Sequence, residues 1–417
     1  MTPYIRELLD RFIVQKDQKT YRSKAQDPYM LAEEYSKEGL SDTCRAVRRL
    51  EYILTNEKPH VYPDEKIALI RTVPVIPEIF TKKEWEKIRD GHYIHEQGKL
   101  CNINPDYMML IGCGFDEKRR QIGQELAGEC SEEKKTTLES MLKVMELITE
   151  FAARYREAAL AAGNQTVADT FEKIPTHAPE TFLEALQFLR LIHFSMWCCF
   201  HYHNTLGRFD QYMYPYFSLW LEGNYHNTVG RFDKYMYPYL KKDLDEGRLT
   251  LDEALELVEE FFICCNKDSD LYTGMQQGDN GQSLVLGGLN PDGSDSYNEL
   301  SNLCLQASLE LKLIDPKINL RVNKNTPLEL YEKGTHLTQQ GLGFPQYSND
   351  DIMIQALKNW GYEEEDAYNY VMAACWEIII PGKGTDIPNI NTMSFVRTIT
   401  DTLDQLEACD TFEQYLD

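Results

Sequence analysis

The 417-residue chain is long enough to bury a large hydrophobic core, and with 42% hydrophobic and 26% charged residues its composition is that of a globular protein. Its 43 basic and 67 acidic residues give a formal net charge of −24. Nucleic acids and anionic membrane surfaces bind basic patches, so neither is expected as a partner. The chain also has no apolar run of about 18 residues, which a membrane-spanning helix would need.

The N-terminus lacks a basic segment followed by an apolar one, so no signal peptide is expected and a cytoplasmic location is predicted. Eleven cysteines in such a chain are predicted to be reduced thiols rather than a disulfide framework. Their spacing includes no paired C-x-x-C motifs, which argues against a structural zinc site. We therefore expect no bound metal or cofactor.

Residues 1–60 are polar and are predicted to form an N-terminal helical region, with its clearest helical periodicity at 42–54. Longer helices are predicted at 131–162, where Ser131 can cap the first turn, and from 179 to about 197. These helices are expected to be structural.

An internal tandem duplication follows, because residues 194–216 and 217–239 match at 16 of 23 positions. Solenoid repeats need three or more units and nothing else in the chain continues this period, so we interpret it as a local duplication. The His-x-His pair at 201–203 could suggest a metal site, but the sequence places no third or fourth ligand beside it. A single helix is predicted directly after the duplication, at 241–262.

The remaining sequence alternates between strand and helix patterns, within a larger domain predicted to span 61–417. A short buried strand and a glycine-rich turn lie in 279–293, but this segment lacks both the G-x-G-x-x-G and the G-K-[ST] patterns of nucleotide-binding loops. Further along the chain, helices are predicted at 298–311, 326–342 and 351–360, and a strand is predicted at 315–322. This alternation predicts βα units, a parallel sheet and a half-barrel of about five strands.

The segment 371–382 places Cys375 and Glu377 two residues apart, ahead of a run of three isoleucines. In an extended segment such residues point to the same side, so both could face one substrate. The isoleucines favour a strand, and Pro381 and Gly382 would end it. The expected setting is therefore a strand tip or a buried loop.

Two other interpretations of Cys375 stay open on the residues alone. Free cysteine is among the most buried residue types and usually fills space in a core. A cysteine-nucleophile hydrolase would need a histidine base beside the thiol, and the nearest histidine in sequence is His336.

Several segments resemble the glycyl radical enzyme family, the pyruvate formate-lyase-like proteins. They are the Gly-Arg-Phe-Asp cores of the two repeat copies at 207–212 and 230–235, the glycine-rich strand at 281–288, the P-x-x-x-N-D stretch at 345–350 and the cysteine segment at 371–382. The resemblance implies an α/β fold, about half of a ten-stranded α/β barrel, preceded by the N-terminal helical region.

In that family the loop cysteine carries a thiyl radical, and in the dehydratase and carbon–heteroatom lyase branches a glutamate two residues later is the base. The resemblance gives these roles to Cys375 and Glu377. Pyruvate formate-lyase itself has two adjacent cysteines, whereas Ala374 precedes a single cysteine here. Elimination from a small polar substrate is therefore favoured over formate C-acetyltransferase activity. By family position, the expected substrate contacts are Glu222, Asn224, His226 and Asn389.

Family members store the radical on a glycine in an R-V-x-G-Y-type loop near the C-terminus, and this sequence contains no such loop. The resemblance implies that the glycyl radical would come from a C-terminal half on a second polypeptide or a homodimer partner. It also implies an activating radical S-adenosylmethionine enzyme. The alternative is a catalytically silent fragment or pseudo-enzyme with an assembly or binding role.

Overall fold

In the computed structural model, the described residues are 1–90, 100–197, 224–268, 282–373, 377–383, 387–388, 411 and 414. Residues 1–387 form one compact unit, and 388–417 form a second that is described only at Pro388, Thr411 and Gln414. Within the described ranges no helix is long and apolar enough to cross a membrane. The domain boundary near residue 60 stays a prediction.

The N-terminal part of the chain is helical. Its elements are α1 Pro3–Leu9, a π-helical turn Asp10–Val14, a 3-10 turn Asp17–Tyr21, α2 Ala32–Glu38, α3 Asp42–Asn56 and α4 Lys82–Asp90. The helix predicted at 42–54 is confirmed as α3. Between α3 and α4 an extended segment crosses the core, and the buried carboxylate of Glu57 accepts hydrogen bonds from the Thr72 amide and the Arg71 guanidinium.

A strand and four helices come next. They are β1 Leu100–Ile103, α5 Tyr107–Leu126, α6 Glu132–Ala162, α7 Gln165–Lys173 and α8 Phe182–Trp197. The helices predicted at 131–162 and 179–197 are confirmed as α6 and α8, and the Ser131 side chain caps α6 as predicted. The sequence pattern gives no sign of β1 or α7. Pro105 and Asp106 are typical of a capped helix start, and the Asp106 side chain does cap α5.

The single helix predicted at 241–262 is wrong. After β2 (Asn224–Gly230) the chain forms three helices, α9 Phe232–Tyr235, α10 Tyr237–Asp245 and α11 Leu251–Asn266. A new helix begins at Leu251 because the Thr250 side chain accepts from the Glu253 amide, while the Glu253 carboxylate accepts from the Thr250 amide. This capping box separates α11 from α10.

The rest of the chain builds the sheet and its helices. The elements are β3 Ser283–Gly287, α12 Glu299–Leu311, β4 Lys317–Val322, α13 Leu328–Gln339, β5 Gln346–Asn349, α14 Asp350–Asn359, α15 Glu364–Asn369, β6 Val371–Ala373, β7 Glu377–Ile379 and β8 Ile387–Pro388. The large sheet has the order β5-β4-β3-β2-β1-β8, and neighbours from β1 to β5 are parallel. The predicted parallel α/β arrangement of about five strands is confirmed.

The two faces of this sheet differ in chemistry because side chains alternate along a strand. On β4, Ile318, Leu320 and Val322 join the main hydrophobic core, together with buried side chains of α11, α12 and α13. Asn319 and Arg321 alternate with them and are also buried. We call the face that carries Asn319 and Arg321 the inner face.

A two-stranded hairpin lies against the inner face. Its strands β6 and β7 pair antiparallel, and β6 contacts β2 and β3. A second hydrophobic cluster joins Val285 of β3 to Val371, Met372 and Ile379 of the hairpin. The hairpin and the sheet therefore share a core that is separate from the helical one.

The second copy of the duplication supplies β2 and α9, while the first copy is described only at 194–197, which end α8. The extra residues thus belong to the connection between α8 and β2. With the first copy in the sheet, they would instead enter the chain directly before Leu240, inside α10. Long insertions cost little in a connection but break the hydrogen bonds of a helix, which explains the choice of the second copy.

A variant that lacks residues 198–220, one repeat length, is expected to keep the fold. No described contact involves a deleted residue, and the deletion shortens the connection between α8 and β2 from 26 residues (198–223) to three. Each halving of a flexible loop lowers the closure cost by about 0.6 kcal/mol, so about three halvings lower it by roughly 2 kcal/mol. The free energy of unfolding in urea should therefore be equal to that of the parent or higher by up to about 2 kcal/mol. Deleting 217–239 instead joins the first copy to Leu240 and should also give a folded protein. An unfolded variant lacking 198–220 would contradict this account of the duplication.

Candidate active site

Cys375 lies in the segment 374–376, outside the described residues, but the strands on both sides of it are described. They pair so that Ala373 is opposite Glu377. The Glu377 side chain is partly exposed, while Ile379 and Ile380 are buried. The strand predicted from the isoleucines is confirmed as β7, which ends just before a turn at 381–383.

The other predicted site residues are described only in part. Glu222 and Asn389 lie outside the described residues. The backbones of Asn224 and His226 belong to β2, where they are opposite Leu100 and Asn102 of β1. Glu377 is thus the one predicted site residue with a described side chain, and the set as a whole stays a prediction. Among the described residues no cluster of three or more metal-ligating side chains occurs.

A buried ion pair lies beside the start of the hairpin. Arg321 of β4 donates two hydrogen bonds to Asp350 at the start of α14, from Nε at 2.9 Å and from Nη2 at 2.8 Å. The hydroxyl of Tyr370 donates to the same carboxylate at 2.6 Å, and the guanidinium lies 3.9 Å from the centre of the Tyr370 ring. Both ionic side chains are fully buried. The pair therefore directly contacts the residue that precedes β6.

A second arginine joins this cluster from the end of β2. Arg231 donates to the carbonyl of Gly287 at 2.7 Å and to that of Tyr368 at 3.1 Å. Arg321 donates from Nη1 to the carbonyls of Tyr368 at 3.0 Å and Tyr370 at 2.9 Å. Two guanidiniums thus converge on the backbone carbonyls that lead into the hairpin.

Asp233 completes the charge balance of the cluster. Its Oδ2 accepts hydrogen bonds from the Gly287 amide at 2.7 Å and from the Ser301 hydroxyl at 2.6 Å. Burial raises the pKa of Asp233, and burial together with the positive charge of Arg321 lowers the pKa of Arg231 to about 10. Two arginines and two aspartates share this water-excluded region, so each positive charge has a negative counterpart.

Two glycines make room for the cluster. Gly287 and Gly288 have φ of +71° and +103°, a region that residues with a side chain rarely adopt. A Cβ on Gly288 would lie 2.9 Å from Nε of Arg321 and 3.0 Å from Oδ2 of Asp350. The ion pair can pass this close only because no side chain is present.

The chain that leaves the hairpin after β7 is also tied to the strand ends beside it. The amide of Gly382 donates to the carbonyl of Asn104, just after β1, at 3.0 Å. Gly230, at the end of β2, packs so closely that a Cβ there would lie 2.6 Å from Nδ2 of Asn104. Both sides of the segment that contains Cys375 and Glu377 are therefore anchored in the sheet.

The structure gives one physical role to segments that the sequence marks as separate motifs. Arg231 and Asp233 belong to the Gly-Arg-Phe-Asp motif, Gly287 and Gly288 to the glycine-rich strand, and Asp350 to the P-x-x-x-N-D stretch. All of them meet at the start of the hairpin.

Sequence reasoning missed Arg321 and Tyr370, which complete this cluster. Arg321 carried a detectable signal, because it is a charged residue between Leu320 and Val322 in a strand of otherwise buried apolar positions. Tyr370 offered no comparable signal.

The fold and the site define an α/β barrel-type protein whose inner face holds the hairpin of β6 and β7. The chain belongs to the pyruvate formate lyase-like family, whose model matches residues 76–223 and 217–405. The two matched stretches overlap inside the tandem duplication, as expected if both copies correspond to one family segment.

Curated relatives include glycyl radical enzymes. Trans-4-hydroxy-L-proline dehydratase of Clostridioides difficile is 27% identical over 296 residues, which cover 67% of this chain and 30% of the relative. (2S)-3-sulfopropanediol dehydratase of Klebsiella oxytoca is 26% identical over 321 residues, which cover 72% of this chain and 36% of the relative. The chain spans about a third of the length of these relatives.

Solved structures show the same fold over more of the chain. Hydroxyproline dehydratase from Clostridioides difficile superposes with a TM-score of 0.69 at 19% identity, over 92% of this chain and 56% of that chain. A glycyl radical enzyme from Archaeoglobus fulgidus superposes with a TM-score of 0.68 at 21% identity, over 90% and 55%. These likenesses establish the barrel architecture, of which this chain matches about half.

Replacing Gly288 with alanine is expected to destabilise the protein more than replacing Gly293. Both glycines have positive φ, but the Gly293 position has no atom within 4 Å of an added Cβ. Gly293→Ala should therefore lower the free energy of unfolding by about 1–2 kcal/mol, through backbone strain alone. Gly288→Ala should lower it by about 1–3 kcal/mol more, because the added Cβ overpacks the ion pair. Urea unfolding of the two variants measures the difference. If both variants lose the same free energy of unfolding, the close approach at Gly288 does not affect stability.

Proposed function

We propose that this chain is part of a glycyl radical lyase or dehydratase, in which Cys375 carries the working thiyl radical and Glu377 is the base. The observation that supports the proposal is the hairpin of β6 and β7, whose strands flank residues 374–376 in sequence and pack on the inner face of the sheet. A radical intermediate must be kept from water and oxygen, and an enclosed apolar setting serves that need. Family membership supports the same assignment.

The proposed reaction begins with transfer of a hydrogen atom from a substrate carbon to the sulfur of Cys375, which breaks a C–H bond and forms an S–H bond. Glu377 accepts the proton of a hydroxyl on that carbon. The bond to the leaving group on the neighbouring carbon then breaks, and the leaving group keeps the electron pair. When the leaving group is a hydroxide, Glu377 supplies the proton with which it leaves as water. The product radical finally regains the hydrogen atom from Cys375.

The proposed substrate is a small polar molecule with a hydroxyl and an adjacent leaving group. The relatives named for dehydration and for sulfite elimination support this class. The polar residues Glu222, Asn224, His226 and Asn389 are proposed to bind its hydroxyl and other polar groups. Ala374, in place of a second cysteine, disfavours formate C-acetyltransferase activity.

The chain spans about a third of the curated relatives, so we propose the activity for an assembly that contains the rest of the family's length. In this proposal a second polypeptide or a homodimer partner supplies the glycyl radical domain, and a radical S-adenosylmethionine enzyme installs the radical. We place this complex in the cytoplasm.

The chain is expected to show a glycyl radical doublet by electron paramagnetic resonance when it is combined anaerobically with the rest of the family's length and the activating enzyme. Cys375→Ser should abolish turnover of hydroxylated substrates while leaving the doublet, because the stored radical lies on another residue. Cys130→Ser, at a partly exposed free thiol, is the matched control and should keep turnover. Absence of the doublet from a folded, assembled complex would leave the chain with an assembly or binding role only.

Glu377→Gln is expected to lower kcat by about 10²–10⁴-fold, because an amide of the same shape cannot accept the proton. Steady-state kinetics of the assembled enzyme measure this loss. Glu365→Gln, at an exposed acidic residue in α15, serves as the control and should leave kcat unchanged. A Glu377→Gln enzyme with the parent's kcat would remove Glu377 from the role of base.

A further inference from the structure

At the base of the hairpin, the described residues form a cluster of charge-assisted hydrogen bonds. Along its length, Val371, Met372 and Ile379 pack on Val285 through apolar contacts, which are non-directional and do not fix how far the hairpin reaches along the sheet. At its base, hydrogen bonds from charged donors end on the carbonyls of residues 368 and 370. Hydrogen bonds are directional, and charged donors make them stronger, so they can set that position.

Two acceptor groups in this cluster, the Tyr368 carbonyl and the Asp350 carboxylate, are fully used, whereas Oδ1 of Asp233 has no hydrogen-bond partner. The Tyr368 carbonyl accepts from both Arg231 and Arg321, which occupy its two lone pairs. Asp350 accepts at Oδ1 from Arg321 and Tyr370, and at Oδ2 from Arg321 and the Leu289 amide. Because no acceptor site on these groups is left over, an alternative arrangement would have to break existing bonds.

We infer that Arg231, Arg321 and Asp350 are positioning residues, which fix the hairpin that presents Cys375 and Glu377 to the substrate. This inference rests on the proposed function for its chemical consequence, but the restraint on the hairpin is independent of it. A misplacement of about 1 Å at a reacting group can cost about 10²-fold in rate. A rigid base only a few residues before Cys375 prevents such a displacement.

Arginine is required for this role because of its shape. Arg321 uses three nitrogens to bind one carboxylate and two carbonyls at once. Lysine keeps the charge but is a point donor that cannot reproduce this fork. Arg321→Lys should therefore keep the buried charge balance and loosen the hairpin.

Hydrogen exchange of the backbone amides, followed by mass spectrometry on the full chain, tests the inference. In Arg321→Lys the peptides that contain β6 and β7 should exchange about ten-fold faster or more, relative to the peptide that contains β3. Tyr370→Phe removes only the hydroxyl bond to Asp350 and should give a smaller increase. If Arg321→Lys does not fold, the exchange of β6 and β7 relative to β3 in Tyr370→Phe tests the inference instead.

Arg71→Lys is the matched control. Arg71 is also buried and binds a carboxylate, Glu57, and a backbone carbonyl, that of Phe194, each at 3.1 Å. Its replacement should lower the global stability without a selective effect on the hairpin. The inference fails if the hairpin in Arg321→Lys exchanges as in the parent relative to β3, or if Arg71→Lys accelerates its exchange equally.

In the assembled enzyme, Arg321→Lys should lower kcat while leaving KM and the glycyl doublet near the parent values. A purely structural loss would lower the amount of active enzyme and weaken the doublet in parallel. If the parent complex shows no doublet, the proposed function fails, but the exchange measurements still decide whether these residues position the hairpin.

Discussion

The buried pair of Arg321 and Asp350 is the contact on which the geometry of the site depends. Removing two charges from water costs several kcal/mol for each, and a buried pair tolerates this only when every hydrogen-bonding group is satisfied. Here the carboxylate has four donors, and the guanidinium also binds two backbone carbonyls. The ion pair therefore serves to specify one arrangement of the backbone rather than to add greatly to the free energy of unfolding.

The pair can exist only because the sheet has two chemically different faces. The period of two along β4 sends Ile318 and Leu320 to the helices and Arg321 to the hairpin. The register then places Arg321 opposite Gly287 of β3, where the glycine turn leaves room for the guanidinium. The strand register, the position of the glycines and the ion pair therefore depend on one another, although they involve three separate segments of the chain.

Much of the fold follows from local sequence patterns. Helices α3, α6 and α8 and strands β3 and β4 were predictable, because their periodicity and capping residues act over a few positions. The break between α10 and α11 was missed, although Gly247 and the Thr250–Glu253 capping box mark it in the sequence. The hairpin strand β7 was predictable from its isoleucines, but the ion pair at its base was not. Arg231, Arg321 and Asp350 are far apart in sequence, and only the strand order brings them together.

The duplication shows how such a constraint selects one of two nearly identical segments. Both copies contain the Gly-Arg-Phe-Asp motif, yet the described part of the chain offers one set of partners for it, the Gly287 amide and carbonyl of β3, the Ser301 hydroxyl of α12 and the Tyr368 carbonyl of α15. The motif itself cannot decide between the copies. The continuous run from Arg231 through α9 and α10 does decide, because Asp243 of α10 accepts a hydrogen bond from the Phe182 amide at the start of α8. A motif that resembles the family in both copies is thus placed by the helix that follows it.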